Sequence, residues 1–544
     1  MSQENSKYFS IQQLLKNRFL HSVFCGILWA LAFPDFEISG LAYVAPAYLF
    51  FIITNQKPAD AFRYGYLAGL VQSLISLCWL LYIPVKIAPI AGWLALAAYL
   101  AAYPALWCWL CNRVYSTEKI ANKPCIKNWF FPLLAGIIWV GLEMIRARFL
   151  TGFPWNPLGA SQYRILPIIQ ISAITGVYGV SFLIVWLSVA LAIAVNLLIK
   201  NPLNRWMWLK PLVLPVIFFA LASIYGICFL LSRSNDKKSP HIRVALVQPS
   251  IPQTMIWDKN ENSYRFRKLL ELSRLALAAK PDILILPEAA VPGLFRYDEE
   301  IYRSITTLAQ ENNVWMIIGA DDAELSASNT NKVLFYNCSF LISPRGFIEG
   351  RYAKQHLVIF GEYVPLSRFL PFLKYLTPIG DDEFTPGEKP VKFRITLNKQ
   401  SAVIRVNTST VICFEDVIPH LVRNHIFDDL DFLVNLTNDG WFKQSSAQRQ
   451  HAANAVFRSV ENRVPLIRCT NNGLTCWIDE AGMIHDEYFG ESKDIYGQGF
   501  KIVSVPLRGK IEPTVYTKYG DWFGYSCLII SILIILATKT KKNI

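Results

Sequence analysis

The chain has 544 residues, of which 53% are hydrophobic and 17% charged, and its formal net charge is +13. That length holds two or three domains, and the apolar excess excludes an ordinary soluble protein. The basic surplus forms no single patch: much of it sits in short loops between apolar runs, which is the pattern of membrane orientation and not of nucleic-acid binding.

The first apolar run, 19–33, ends at Phe33-Pro34 without a small-residue cleavage site, and further runs follow directly. It reads as a membrane anchor rather than a signal peptide. A span needs roughly 17–25 mostly apolar residues. Candidates are 19–33, 40–54, 65–84, 91–112, 129–145, 165–199 and 212–231, with a last one at 522–538. The run 165–199 is too long for one straight helix, and Gly176 and Gly179 predict a break near its start. Lys7, Lys16 and Arg18 precede the first span; Lys57 and Arg63 follow the second, Arg113 and Lys119 the fourth, Lys200 and Arg205 the sixth, and Lys539 to Lys542 end the chain. Positive-inside logic puts these loops in the cytoplasm. Seven spans then deliver residue 240 to the far side, and the eighth returns the C-terminus. The expected organisation is a membrane domain of about seven spans over 1–231, a polar linker at 232–240, an extracytoplasmic domain over 241–511, and a final span with a basic tail over 512–544.

The 11 cysteines are odd in number and irregularly spaced, so no disulfide framework can be read from them. Cys108 and Cys111 form a C-x-x-C, but in an apolar run cysteine behaves as a small hydrophobe.

Within 241–511, short apolar runs at 242–247, 283–286, 315–318, 411–412 and 432–436 read as strands. Between the first two, Leu269, Leu270, Leu272, Leu275 and Leu277 recur at helical spacing, and such alternation predicts an α/β domain. Three segments place a reactive side chain beyond an apolar stretch: Asp282-Ile-Leu-Ile-Leu-Pro-Glu288, Gly350-Arg-Tyr-Ala-Lys354 and Thr410-Val-Ile-Cys413-Phe-Glu415-Asp. A thiol needs a base or a nearby cation to become a nucleophile. A glutamate can take the proton, and a lysine can stabilise thiolate and oxyanion. A thiol on a strand-to-turn elbow also offers the following amide, here that of Phe414, as an oxyanion donor. Taken singly, each residue also fits a structural role: Cys413 a buried core thiol, Glu288 a helix cap or surface charge, Lys354 a solvated lysine, Glu362 a turn cap. No spacing rule joins residues this far apart.

The ordered set L-P-E, R-Y-x-K, C-x-E resembles the Glu-Lys-Cys triad of the nitrilase superfamily. Seven spans before such a domain and one after it resemble the apolipoprotein N-acyltransferase family. Further matches are Gln248-Pro-Ser-Ile-Pro-Gln253 with Trp257-Asp258, Gly361-Glu362-Tyr-Val-Pro365, Asn435-Leu-Thr-Asn-Asp439-Gly-Trp-Phe442, Arg458-Ser-Val-Glu461-Asn-Arg463, and Gly152-Phe-Pro-Trp155-Asn-Pro-Leu-Gly159. The resemblance implies a multi-pass α-helical membrane bundle carrying a nitrilase-like α-β-β-α sandwich. It implies Glu288 as base, Lys354 as electrostatic stabiliser and Cys413 as nucleophile, supported by Trp257, Glu362, Phe414, Glu415 and Trp155, with no metal and no cofactor. It further implies a phospholipid acyl donor, a diacylglyceryl apolipoprotein acceptor, and a bacterial inner membrane location with the catalytic domain on the periplasmic side. Two positions depart from the family pattern: Phe414 stands where tyrosine is frequent, and Lys443 where glycine is common. The apolar stretch 364–379, with Phe369 and Phe372, reads as a lid dipping into the membrane interface. The rivals are a membrane-anchored nitrilase-like amidohydrolase and a transporter with a sensing domain, for which Glu143 is the main intramembrane charge.

Overall fold

The computed structural model describes residues 17–116, 124–233, 240–326, 329–365, 367, 369, 383–399, 402–489, 494–507 and 512–539. Most of the expected 364–379 lid lies outside them; of its aromatic residues Phe369 is described, and it is exposed. The chain forms two compact units: Met1–Cys78 with Ala91–Leu230 and Asp521–Ile544, and Trp79–Ile90 with Leu231–Gly520.

The first unit is helical. Ala88–Tyr115, Asn128–Arg146, Val177–Lys200 and Arg205–Arg233 are long and apolar enough to cross a bilayer, and shorter apolar helices occupy Arg18–Ala30, Leu41–Ile53, Leu166–Thr175 and Trp522–Ala537. Where the sequence predicts a span at 65–84, the helix runs Pro58–Ser76 and a 3₁₀ turn Cys78–Tyr82 follows. Proline suits a first helical turn, whose amide has no partner there, and the polar Asp60 and Arg63 that hydropathy trims away are part of the helix. The expected break in 165–199 falls at Gly176, whose φ of +68° separates two short turns from Val177–Lys200. Backbones approach closely where glycine permits it, as expected when lipid supplies no hydrophobic drive between helices. A Cβ on Gly26 would lie 2.5 Å from the Ala68 carbonyl, and one on Gly65 would lie 2.7 Å from the Cys108 sulfur. Cys108 therefore fills a helix interface. Arg205–Arg233 is largely unburied, and it exposes Phe218, Leu221 and Ile224 as a lipid-facing helix would. Glu143 accepts from Trp139 Nε1 (3.0 Å) and the Leu158 amide (2.8 Å), so it pins the turn at Leu158–Gln162.

The second unit begins with β1 (His241–Gln248), β2 (Ile283–Ile285), β3 (Val291–Leu294), β4 (Trp315–Ser326), β5 (Asn329–Ile342) and β6 (Ile348–Ala353). It continues with β7 (Lys392–Lys399), β8 (Ala402–Ile412), β9 (Phe432–Thr437), β10 (Leu466–Thr470), β11 (Cys476–Ile478), β12 (Ile484–His485) and β13 (Gly499–Pro506). One sheet has the order β13-β1-β2-β4-β5-β6 with β3 beside β4, and the other β12-β11-β10-β9-β8-β7. Side chains alternate along a strand, and β1 uses both faces. Ile242, Val244 and Leu246 point into an apolar layer shared with Phe393, Ile412, Val434 and Ile467 of the second sheet. Ala245 and Val247 point the other way, onto Leu269 and Leu272 of helix Asn262–Leu277 and Ile305 and Leu308 of helix Glu299–Glu311. Helices Pro419–Asn424 and Ala447–Asn462 cover the second sheet. The architecture is thus a helical membrane unit joined to an α-β-β-α sandwich. Glu288 and Lys354 lie beyond the ends of β2 and β6 in one sheet, and Cys413 beyond the end of β8 in the other.

Candidate active site

Cys413 leaves β8 with φ +53° and opens the 3₁₀ turn Cys413–Val417. A non-glycine residue in that region costs on the order of 1–3 kcal/mol and persists only where its surroundings hold it. Here the Cys413 amide donates to Asn435 Oδ1 (3.0 Å), and the Asn435 amide group donates back to the Cys413 carbonyl (3.2 Å). Asn435 is placed for this because β9 runs parallel to β8 with Val411 opposite Asn435.

Lys354 emerges from β6 into a pocket of carboxylates. Its Nζ lies 3.3 Å from Glu288 Oε1 and 2.9 Å from Glu362 Oε1, and all three side chains are buried. Asn337 on β5 donates to the same two oxygens, at 2.8 and 2.9 Å. Glu362 turns its other oxygen to the Val358 amide (2.8 Å), so it caps a turn and faces the lysine at once. Burial pulls the Lys354 ammonium down, but Glu288 and Glu362 outweigh it and hold the group well above its ordinary value. The thiol behaves oppositely. Loss of water pushes Cys413 well above its usual range, and Glu288 adds to this while Lys354 opposes it. The resting site therefore pairs a protonated thiol with a fixed cation and a carboxylate within electrostatic reach, which is the arrangement for base-assisted nucleophilic attack.

A family profile described as carbon-nitrogen hydrolase matches residues 243–532, and one described as apolipoprotein N-acyltransferase N-terminal domain matches residues 25–190. An apolipoprotein N-acyltransferase from Geobacter metallireducens is 36% identical over 541 residues, covering 97% of this chain and 96% of its own. The chain belongs to the apolipoprotein N-acyltransferase family. Another such protein, from Vibrio vulnificus, is 30% identical over 97% of this chain and all of its own. An amidase of the nitrilase superfamily from Nesterenkonia is 14% identical with a TM-score of 0.36, over 49% of this chain and 93% of its own. As a member of the apolipoprotein N-acyltransferase family, the chain is a membrane-associated acyltransferase of the nitrilase superfamily.

The supporting residues expected for an apolipoprotein N-acyltransferase take different places. Glu415 is fully buried and accepts from Tyr352 Oη (2.9 Å) and from the amides of Gln355 (2.7 Å), His356 (3.0 Å) and Ile412 (2.7 Å). It ties the strand carrying Cys413 to the segment carrying Lys354, and desolvation raises its carboxyl to about 7. Phe414 stacks on His356 with ring centroids 5.9 Å apart. Trp257 is exposed and packs edge-on against Trp441 at 5.2 Å. Trp155 belongs to the helical unit, buried and stacked on Phe153 at 6.3 Å. Lys354, a surface lysine by its sequence surroundings alone, is 1% exposed. Lys443 adopts φ +48°, ψ −150°, a conformation that suits the glycine common there. Among the described residues no group of three His, Cys, Asp or Glu side chains is set to hold a metal ion.

Behind the apolipoprotein N-acyltransferase elbow lies a second polar cluster that the sequence reading missed. Asp416, Asp439, His451 and Arg468 are all buried. Arg468 pairs with Asp416 and lies 3.6 Å from Asp439, while His451 bridges the two carboxylates at 2.8 Å each. The signal available was Arg468 itself, one guanidinium in the apolar run Leu466-Ile-Arg-Cys469. A charge so placed calls for a buried partner.

Proposed function

We propose that this protein N-acylates apolipoproteins by a two-step transfer through a thioester on Cys413. In the first step Cys413 Sγ attacks the ester carbonyl of a phospholipid acyl chain, and its proton passes to Glu288. The oxyanion is met by the Lys354 ammonium and the Phe414 amide. Collapse expels the glycerol oxygen, which takes the proton from Glu288 and departs as lysophospholipid. In the second step the α-amine of a diacylglyceryl-cysteine attacks the thioester, Glu288 accepts the amine proton, and the departing thiolate is reprotonated. Glu362 and Asn337 keep Lys354 and Glu288 in register.

The observation that carries this reading is the buried ammonium of Lys354, which touches both Glu288 and Glu362. Such preorganised charge acts most strongly where water is excluded. Both substrates are lipids, so the site must face the bilayer, and we place the catalytic domain on the periplasmic side of the inner membrane. The distribution of basic loops supports that orientation.

Intact-protein mass after incubation with phospholipid should show one added acyl chain on Cys413. The adduct should persist in phospholipid alone and discharge when a diacylglyceryl-cysteine peptide is added. Equal decay with and without the peptide would make water the acceptor, as in the amidohydrolase alternative. Reporter fusions at residues 240 and 544 should report opposite sides of the membrane.

A further inference from the structure

We infer that His451 is a positioning residue for acyl transfer: a buried imidazolium that holds the Cys413 carbonyl and thereby aims the Phe414 amide at the oxyanion. This rests on Cys413 being the nucleophile. The charge follows from the ring's partners. Nδ1 lies 2.8 Å from Asp439 Oδ1, and Nε2 lies 2.8 Å from Asp416 Oδ1 and 3.3 Å from the Cys413 carbonyl oxygen. Ionised carboxylates and carbonyls only accept, so both ring nitrogens must carry hydrogen. Asp416 stays ionised because Arg468 pairs with it and Asn435 donates to it, and Arg468 also approaches Asp439. Burial lowers Asp416's tendency to ionise, but His451 and Arg468 outweigh it and bring its carboxyl below the ordinary value.

The route from ring to chemistry is one peptide plane. The carbonyl of Cys413 and the N–H of Phe414 belong to the same trans unit and point in opposite directions. Two donors, His451 Nε2 and Asn435 Nδ2, grip that carbonyl from inside the domain. The Phe414 N–H is thereby turned away from the buried cluster. His451 does not reach the reacting atoms through any contact of its own, and its two nitrogens are already engaged, so it is not a second base.

The charged groups facing His451 are Asp416 from the turn after β8, Asp439 from the turn after β9, and Arg468 from β10. Burial lowers the ring's proton affinity, yet Asp416 and Asp439 outweigh it and raise it to about 9. Both ring donors are therefore present at neutral pH, and one of the two is lost as pH rises through about 9.

The test uses the full-length chain in phospholipid nanodiscs and reads the rate of Cys413 acylation by intact mass, against donor concentration and pH. His451→Gln should lower the maximal rate about 10²-fold, the scale of one oxyanion donor, with the half-saturating donor concentration unchanged. The wild-type rate should fall near pH 9, and that fall should be missing from the His451→Gln profile. Asp439→Asn keeps the ring but removes one carboxylate, so its alkaline fall should move to lower pH. A folded His451→Gln acylating within about threefold of wild type would overturn the inference. So would a wild-type rate that does not fall at alkaline pH, or an Asp439→Asn profile that superimposes on wild type; these two decide the matter if His451→Gln fails to fold. Acylation that survives in Cys413→Ala would overturn the nucleophile assignment itself, a separate failure.

Discussion

Two polar clusters flank Cys413, and they differ in charge balance. In front, one cation, Lys354, serves two carboxylates, Glu288 and Glu362. Behind, two cations, His451 and Arg468, serve two carboxylates, Asp416 and Asp439. The front cluster has an excess carboxylate next to a protonated thiol, so it has somewhere to put a proton. The rear cluster is neutral as a whole, with its charges locked in pairs, and it holds geometry. Reactivity and rigidity are thus kept on opposite sides of one residue.

The comparison breaks most easily at its centre. Cys413→Ala should leave a folded protein that forms no acyl adduct by intact mass, whichever cluster is intact. Next come the front-cluster variants. Glu288→Gln should lower the acylation rate by about 10²–10⁴, with a melting temperature close to wild type, since the amide can still face Lys354. The rear cluster should respond the other way round. Arg468→Met leaves Asp416 and Asp439 short of a cation and should cost about 3–5 kcal/mol of stability, read as a large drop in melting temperature. A rear variant that loses rate without losing stability would blur the division.

The pH dependence of stability sharpens it further. The folded-state value of His451 is raised from 6.5 to about 9, so its contribution is complete below 6.5 and is lost as pH rises through about 9. The lost contribution is on the order of 3 kcal/mol. Melting temperature should fall over that window in wild type and stay flatter in His451→Gln. The smallest expected effect is at Lys443. Lys443→Gly relieves a backbone conformation that glycine adopts freely and should raise stability by up to about 1 kcal/mol, measured by thermal unfolding.

The fold class was legible in the sequence because apolar runs of membrane length and short β-branched runs differ so plainly in size. Strands were harder to read. β7 mixes Lys, Arg, Thr and Asn with its apolar residues because it turns one face away from the core, and β5 opens on Asn-Thr-Asn-Lys, so continuous hydrophobicity marks neither strand. The candidate set of Glu288, Lys354 and Cys413 was legible through its motifs. Residue by residue it was not: Lys354 looks like any surface lysine until β6 carries it inward, and Glu362 fits a turn cap because it also is one. The rear cluster escaped notice because its members are separated along the chain, in two turns, a helix and a strand, and only parallel pairing of β8, β9 and β10 brings them together.

Cys413 hangs from one sheet, and Glu288 and Lys354 hang from the other. The apolar filling between the sheets, Tyr352, Phe393 and Ile412 among it, is therefore a spacer that sets the width of the reactive gap. Phe393 shows how little slack there is: a methyl group on Gly350, four residues before Lys354, would sit 2.9 Å from its ring. A displacement of about 1 Å between reacting groups can cost about 10²-fold in rate. On the acyl-transfer reading, a wholly apolar change at Gly350 or Phe393 would act as a throttle on chemistry that neither residue touches.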